Sequence, residues 1–207
     1  MKHTPFSIAL MAGGQSKRMG TDKGLLPFMG RPMALYILDQ VANLSEDIFI
    51  VSNRPDAYHQ MTDNIYPDKI AGIGALGGIH SALVYAQHAL CLVLACDMPF
   101  VSKDLTGYLV ERTERVDAVI PDLGGNKLEP FRALYRQTCL PVIEAAIEAG
   151  QRKAVSFLPQ VKATYISKAE LERLNPSLDS FLNINTPEDL VEAEAYARQL
   201  AQGEESA

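Results

Sequence analysis

The run Cys91-Leu-Val-Leu-Ala95 is continuously apolar and stops abruptly at Cys96-Asp97-Met98-Pro99. A strand with one wet face alternates apolar and polar side chains, so a run without alternation demands cover on both faces. Similar runs recur at Phe6–Met11, Ile48–Ser52 and Ala118–Pro121, each bounded by turn-forming residues. Between them lie stretches of helical period: Pro32–Asn43, apolar at Ala34, Leu35, Leu38, Val41 and Ala42, then Ile79–His88 and Leu105–Arg112. Strand and helix alternating in this way predict an α/β fold with a mainly parallel central sheet covered on both sides. In such folds ligands sit at the carboxyl ends of the strands.

After residue 120 the pattern is less regular. A turn at Gly124-Gly125-Asn126 precedes a strand from Phe131 to Tyr135, a helix from Leu140 to Ala149 stopped by Gly150, and a strand at Thr164–Ile166. A last helix opens with Thr186 as N-cap and Pro187 at its first position, with Asp189 reaching back, and is expected to end near Leu200. Nothing Pro/Ser-rich or of low complexity divides the 207 residues, which reads as one domain over residues 1–201 and a mobile tail over 202–207.

Composition narrows the function. A hydrophobic share of 47% supports a packed core rather than disorder. A net charge of -6 argues against nucleic acid as a partner, because duplex binding leans on many contacts from Lys and Arg to phosphates. A small polyanion responds instead to a local cluster of cations, and Lys17, Arg18, Lys23 and Arg31 lie close in sequence. The apolar run before Gly13 is too short for a leader or a membrane span, which favours a cytoplasmic protein without a membrane partner. Cys91, Cys96 and Cys139 form no CxxC pair and read as reduced, buried thiols. His3, His59, His80 and His88 have no metal-ligand spacing.

The first strand runs into Ala12-Gly13-Gly14-Gln15-Ser16-Lys17-Arg18-Met19-Gly20-Thr21-Asp22-Lys23, so glycines, hydroxyls and cations meet at one carboxyl end. Glycines let backbone N–H groups approach a ligand, and Arg and Lys give charge-assisted hydrogen bonds to phosphate oxygens. The spacing after Gly14 is not that of a P-loop. Asp97, closing the most apolar strand, has two readings: a ligand for Mg²⁺, or an N-cap for a helix beginning after Pro99. A third segment, Asp68 to Gly78, could grip a base or ribose before a helix opens at Ile79. It also spells GxGxxG from Gly72 to Gly77, but the residues preceding it are no long apolar strand, as a dinucleotide fold would need.

Met11-Ala-Gly-Gly-Gln-Ser-Lys-Arg-Met-Gly-Thr-Asp-Lys23 resembles the signature of the MobA-like nucleotidyltransferases, within them the molybdenum cofactor guanylyltransferase family. Further similar features follow in order along nearly the whole chain: Gly30-Arg-Pro32, Val51-Ser-Asn53-Arg54, Asp68, Gly72–Gly78, Cys96-Asp97-Met-Pro99, Glu129-Pro130 and Asn183-Ile-Asn185-Thr-Pro-Glu-Asp-Leu190. The resemblance implies a three-layer Rossmann-like nucleotidyltransferase fold and Mg²⁺-dependent transfer of GMP from GTP to molybdopterin, releasing pyrophosphate. It implies partners among molybdoenzyme maturation proteins, a nucleotide-binding half over residues 1–99 and an acceptor-binding half over 100–201. By position, Met11, Ala12, Gly13, Gly14, Lys23, Asn53, Asp68 and Asp97 would meet the nucleotide, and Asp97 would hold Mg²⁺. Arg18, Lys23 and Asp97 would carry catalysis, and Asn183 and Asn185 would face the pterin. Val51 and Ala75 stand where several relatives carry Asn and Pro. Gly13 matches the GTP-using members, where related cytidylyltransferases have Ala. The alternatives are a CTP-using pterin or sugar-phosphate nucleotidyltransferase of the same fold, and a GTP-binding regulator without activity.

Overall fold

A computed structural model describes residues 4–12 and 22–204, with side chains to residue 202. In chain order the elements are β1 (Ser7–Met11), β2 (Pro27–Phe28), β3 (Arg31–Pro32), α1 (Met33–Val41), β4 (Ile48–Val51), β5 (Ile65–Tyr66), α2 (Ala75–Tyr85) and β6 (Leu90–Ala95). They continue with α3 (Lys103–Glu111), β7 (Ala118–Pro121), β8 (Arg132–Arg136), α4 (Leu140–Glu148), β9 (Ala163–Ile166), α5 (Lys168–Leu174) and α6 (Pro187–Glu204).

Seven strands form one sheet in the order β5-β4-β1-β6-β8-β7-β9, parallel except for β8. The exception has a local cause. Gly124, Gly125 and Asn126 all take positive φ, at 85°, 61° and 64°, and turn the chain straight back after β7. A connection that short can only join antiparallel neighbours, whereas a parallel pair needs a crossover.

Alternate residues of each central strand feed two cores. Ile8, Leu10, Leu92 and Leu94 pack with α1, α3, α5 and α6 on one face, while Ala9, Cys91 and Val93 pack with α2 and α4 on the other. The expected cover on both faces is thus present, and β6 is buried along its length until Ala95. Leu76, Ile79 and Leu83 of α2 have no exposed surface, each contributing about 1.5–3 kcal/mol through burial. All three cysteines are buried. Among the described residues no helix is long and apolar enough to cross a membrane.

Most boundaries shift by one to three residues, α2 ending at Tyr85 rather than His88 and α3 opening at Lys103 rather than Leu105, and two shift by four. Helix α2 starts at Ala75 rather than Ile79, because Gly74, at φ 74°, makes the turn into it. Gly77 and Gly78 therefore lie inside the helix, where they permit close packing: a Cβ would stand 2.6 Å from Ile73 Cβ at the first and 2.6 Å from Met11 Cε at the second. Helix α6 runs to Glu204 instead of stopping near Leu200, so the segment read as a tail from residue 202 begins as helix. Ala201 and Gln202 are good helix formers and nothing before them breaks the turn.

Candidate active site

Every crossover returns the chain so that Met11, Val51, Tyr66, Ala95 and Pro121 end their strands at one edge. The residues following these ends build the site. Backbone bonds fix the first two of them: Ala12 N–H donates to Val51 O at 2.9 Å, and Cys96 N–H to Met11 O at 3.1 Å.

Lys23 reaches this edge from a 3₁₀ turn, Lys23–Leu25, capped by Asp22, whose side chain accepts from Gly24 N–H at 3.2 Å. Lys23 Nζ donates to Asp97 Oδ2 at 2.8 Å and to Asn185 Oδ1 at 2.7 Å. Two residues from separate parts of the chain, Asp97 and Asn185, therefore converge on the Lys23 ammonium. The Lys23 and Asp97 side chains keep 14% and 23% of their surface, so the pair is sheltered yet reachable.

Asp97 does not cap the following helix. That position belongs to Ser102, whose Oγ accepts from Leu105 N–H at 3.1 Å. The turn after β6 is instead tied to the carboxyl-terminal segment, with Ile184 N–H donating to Asp97 O at 2.9 Å. Ile184 is fully buried and anchors Asn183 and Asn185 on either side of it. Asp189 Oδ2 accepts from the N–H groups of Asn185 and Thr186 at 2.8 and 2.9 Å, and Asp189 N–H returns a bond to Thr186 Oγ1. Those backbone donors, Asn185 first, hold the Asp189 carboxyl below the usual range.

A second cluster lies at the ends of β4 and β5. Asn53 Nδ2 donates to Asp68 Oδ2 at 2.8 Å, and Asp68 N–H donates back to Asn53 Oδ1 at 2.9 Å. This reciprocal pair fixes both side chains at the exposed edge. Met11, at the end of β1, touches α2 at Gly78, as the close approach there requires. Gly13, Gly14 and Arg18 lie outside the described residues. Arg31 is committed elsewhere: it pairs with Asp39 and lies over the Tyr36 ring, 4.9 Å from its centroid. Arg152 caps the end of α4, donating to Ile147 O and Gln151 O.

Three further residues of this region were given no role from the sequence, although Glu129 stands in a segment that the family resemblance marks. Arg132, opposite Leu94 in the register, is fully buried beneath the Asp97 turn and donates through Nη2 to Met98 O at 2.8 Å. Burial lowers its pKa to about 10. Glu129, beside it, is nearly buried and has its carboxyl pushed up by that burial. Tyr58 buttresses the Lys23 turn through Asp22. The arginine interrupting the apolar stretch Phe131–Tyr135 is a legible signal, Glu129 is marked only by the resemblance, and Tyr58 has no signal that spacing exposes.

Residues 8–164 match the model of the MobA-like NTP transferase domain. The chain belongs to that family. A molybdenum cofactor guanylyltransferase of Syntrophotalea carbinolica is 34% identical over 93% of this chain and 91% of its own. A Pelotomaculum thermopropionicum protein named "Probable molybdenum cofactor guanylyltransferase" is 36% identical over 94% of both chains. The crystal structure of molybdopterin-guanine dinucleotide biosynthesis protein A from Archaeoglobus fulgidus superposes with a TM-score of 0.82 at 28% identity, covering 93% of this chain and 99% of that one. The fold extends to 2-C-methyl-D-erythritol 4-phosphate cytidylyltransferase from Thermus thermophilus, with a TM-score of 0.69 at 18% identity. As a MobA-like NTP transferase the protein is a nucleotidyltransferase, and the convergence of Lys23, Asp97 and Asn185 lies where the α/β architecture places ligands.

Proposed function

We propose that the protein transfers GMP from GTP to molybdopterin in the cytoplasm, giving molybdopterin guanine dinucleotide and pyrophosphate, with Mg²⁺ bound at Asp97. The observation that carries this reading is the meeting of Lys23, Asp97 and Asn185, which brings a cation for phosphate, a carboxylate for a metal and a polar group for an acceptor to one point. The names of the full-length relatives supply the choice of substrates.

The donor set fits a magnesium ion. Asp97 offers a partly exposed carboxylate at the end of β6, and an ion held there would be completed by substrate phosphates and water. Asp97 already holds a cation, the Lys23 ammonium, through Oδ2. When bound, the ion supplies neutralisation of charge on the phosphates.

The chain's own groups do the rest. A terminal phosphate oxygen of the acceptor is already a nucleophile, so positioning and charge neutralisation matter more than a general base. That oxygen bonds to the α-phosphorus of GTP, the bond from the α-phosphorus to the α,β-bridging oxygen breaks, and pyrophosphate leaves with the electron pair. Lys23, with Arg18, stabilises the phosphate charge. Met11, Ala12, Gly13, Gly14, Asn53 and Asp68 hold the nucleotide in the half formed by residues 1–99.

The other half, residues 100–201, takes the acceptor through Asn183 and Asn185. A cavity of about 480 Å³ supports this division; Lys127 and Lys168 line it with Ser177, Asp179 and Leu182, and the chain passes from Leu182 directly into Asn183. Maturation proteins for molybdoenzymes are the expected macromolecular partners. The test is pyrophosphate release from GTP with molybdopterin, which chelation of Mg²⁺ should abolish; release undiminished by chelation would reject the metal.

A further inference from the structure

We propose that Tyr58 is the positioning residue for Lys23, acting through Asp22, and that the segment Asn53–Tyr58 thereby ties the nucleoside-facing and phosphate-facing parts of the site together. This rests on the reading above only in assigning Lys23 to a phosphate.

The Tyr58 ring is fully buried, in the same apolar cluster as Leu26, Phe28 and Met33. Its hydroxyl donates to Asp22 Oδ1 at 2.6 Å, the same oxygen that accepts Gly24 N–H and caps the Lys23 turn. The ring also lies against the outside of that turn. A Cβ on Gly24 would stand 2.6 Å from Tyr58 Oη and 3.1 Å from Cε1, so the backbone of the turn and the phenol are in direct contact. The turn is held from within by a carboxylate and from without by the ring that bonds the carboxylate. Lys23 opens this turn and extends to Asp97 and Asn185.

The clamp continues to the second cluster. Asp22 is buried, and its other oxygen, Oδ2, has no hydrogen bond among the described residues and faces Arg54 Nη1 at 3.5 Å. Arg54 follows Asn53, the partner of Asp68, and Tyr58 stands one residue after the 3₁₀ turn Pro55–Ala57, to which its N–H is bonded. Burial, and then the bond to Asp22, push the Tyr58 hydroxyl far up, so it stays a donor at every working pH. A ligand that orders Asn53 and Asp68 thus acts on the same segment that sets the Lys23 turn.

Tyr58→Phe keeps the buried ring and removes the hydroxyl. A positioning role through Lys23 lowers turnover roughly ten- to hundredfold, the scale of a misplaced catalytic group. In a Lys23→Ala background the same change has no further effect, because residues acting as a unit are not additive. A thermal melt confirms that both variants fold. Wild-type turnover in Tyr58→Phe, or an equal fall in both backgrounds, would overturn the proposal. A crystal structure of Tyr58→Phe reads the geometry without any nucleotide: the expected result is a displaced Lys23–Leu25 turn with Lys23 Nζ away from Asp97, and an unmoved turn overturns the inference. Failure of the wild type to release pyrophosphate from GTP would reject the proposed function and leave this structural reading decisive for Tyr58.

Discussion

Lys23 Nζ sits 2.8 Å from Asp97 Oδ2 although 74 residues separate them in the chain. The pair gives the edge of the sheet a cation and an anion at one point, and each is useful to a phosphate ligand: the ammonium directly, the carboxylate through a metal. Removing the carboxylate as Asp97→Ala is expected to lower turnover by about 2–4 kcal/mol, the scale of one lost electrostatic catalyst. Steady-state kinetics with saturating Mg²⁺ check it, and near-normal turnover would remove Asp97 from the chemistry.

Asn53 and Asp68 bond each other twice at the exposed edge, so either one alone is poorly held. Asn53→Ala is expected to raise the KM for nucleotide roughly tenfold, about the worth of a hydrogen bond to a charged group, with kcat less affected. A fall in kcat with KM unchanged would place the pair outside nucleotide binding.

The two helical glycines of α2 should respond differently to alanine. At Gly77 the new methyl meets Ile73 Cβ, which cannot yield without moving backbone, and strain of about 1–3 kcal/mol outweighs the gain of about 1 kcal/mol in helix propensity. At Gly78 it meets the flexible end of Met11, so stability should change little while nucleotide affinity falls. Denaturant melts and nucleotide titrations of both variants separate these outcomes.

Asp189 links stability to pH at the segment carrying Asn185. Its folded pKa lies below the ordinary 3.8, so the unfolded chain binds the proton more readily between the two values and stability rises with pH there. The contribution is present above pH 3.8 and is lost as pH falls through the folded value. Asp189→Asn should therefore flatten the acid limb of the stability curve below about pH 4. An unchanged acid limb would mean that the carboxylate does not hold the Asn185 and Thr186 N–H groups.

The strands β1, β4, β6 and β7 were legible because each is a buried apolar run, and their common carboxyl edge follows from their parallel directions. The strands β2, β3 and β5 have two residues each and leave no period to read. Helix α5 has a sequence signature in the Ser167–Glu170 capping box, but its short apolar pattern is easily passed over. Within the site, Asp97 stands out because it closely follows an apolar strand and Lys23 because it closes the glycine- and cation-rich segment after β1, whereas Asn185 meets Lys23 across 162 residues and only the family resemblance pointed to it. Tyr58 was hidden for a different reason. Its role depends on one hydroxyl reaching a carboxylate 36 residues away, and a buried aromatic looks like core in any sequence.

The most direct measurement is pyrophosphate release by the wild-type protein given Mg²⁺, molybdopterin and either GTP or CTP. The expected result is release from GTP in clear preference to CTP, sharply slowed but still measurable on Lys23→Ala. Release from CTP alone, or GTP binding without release in the presence of the acceptor, would contradict guanylyl transfer.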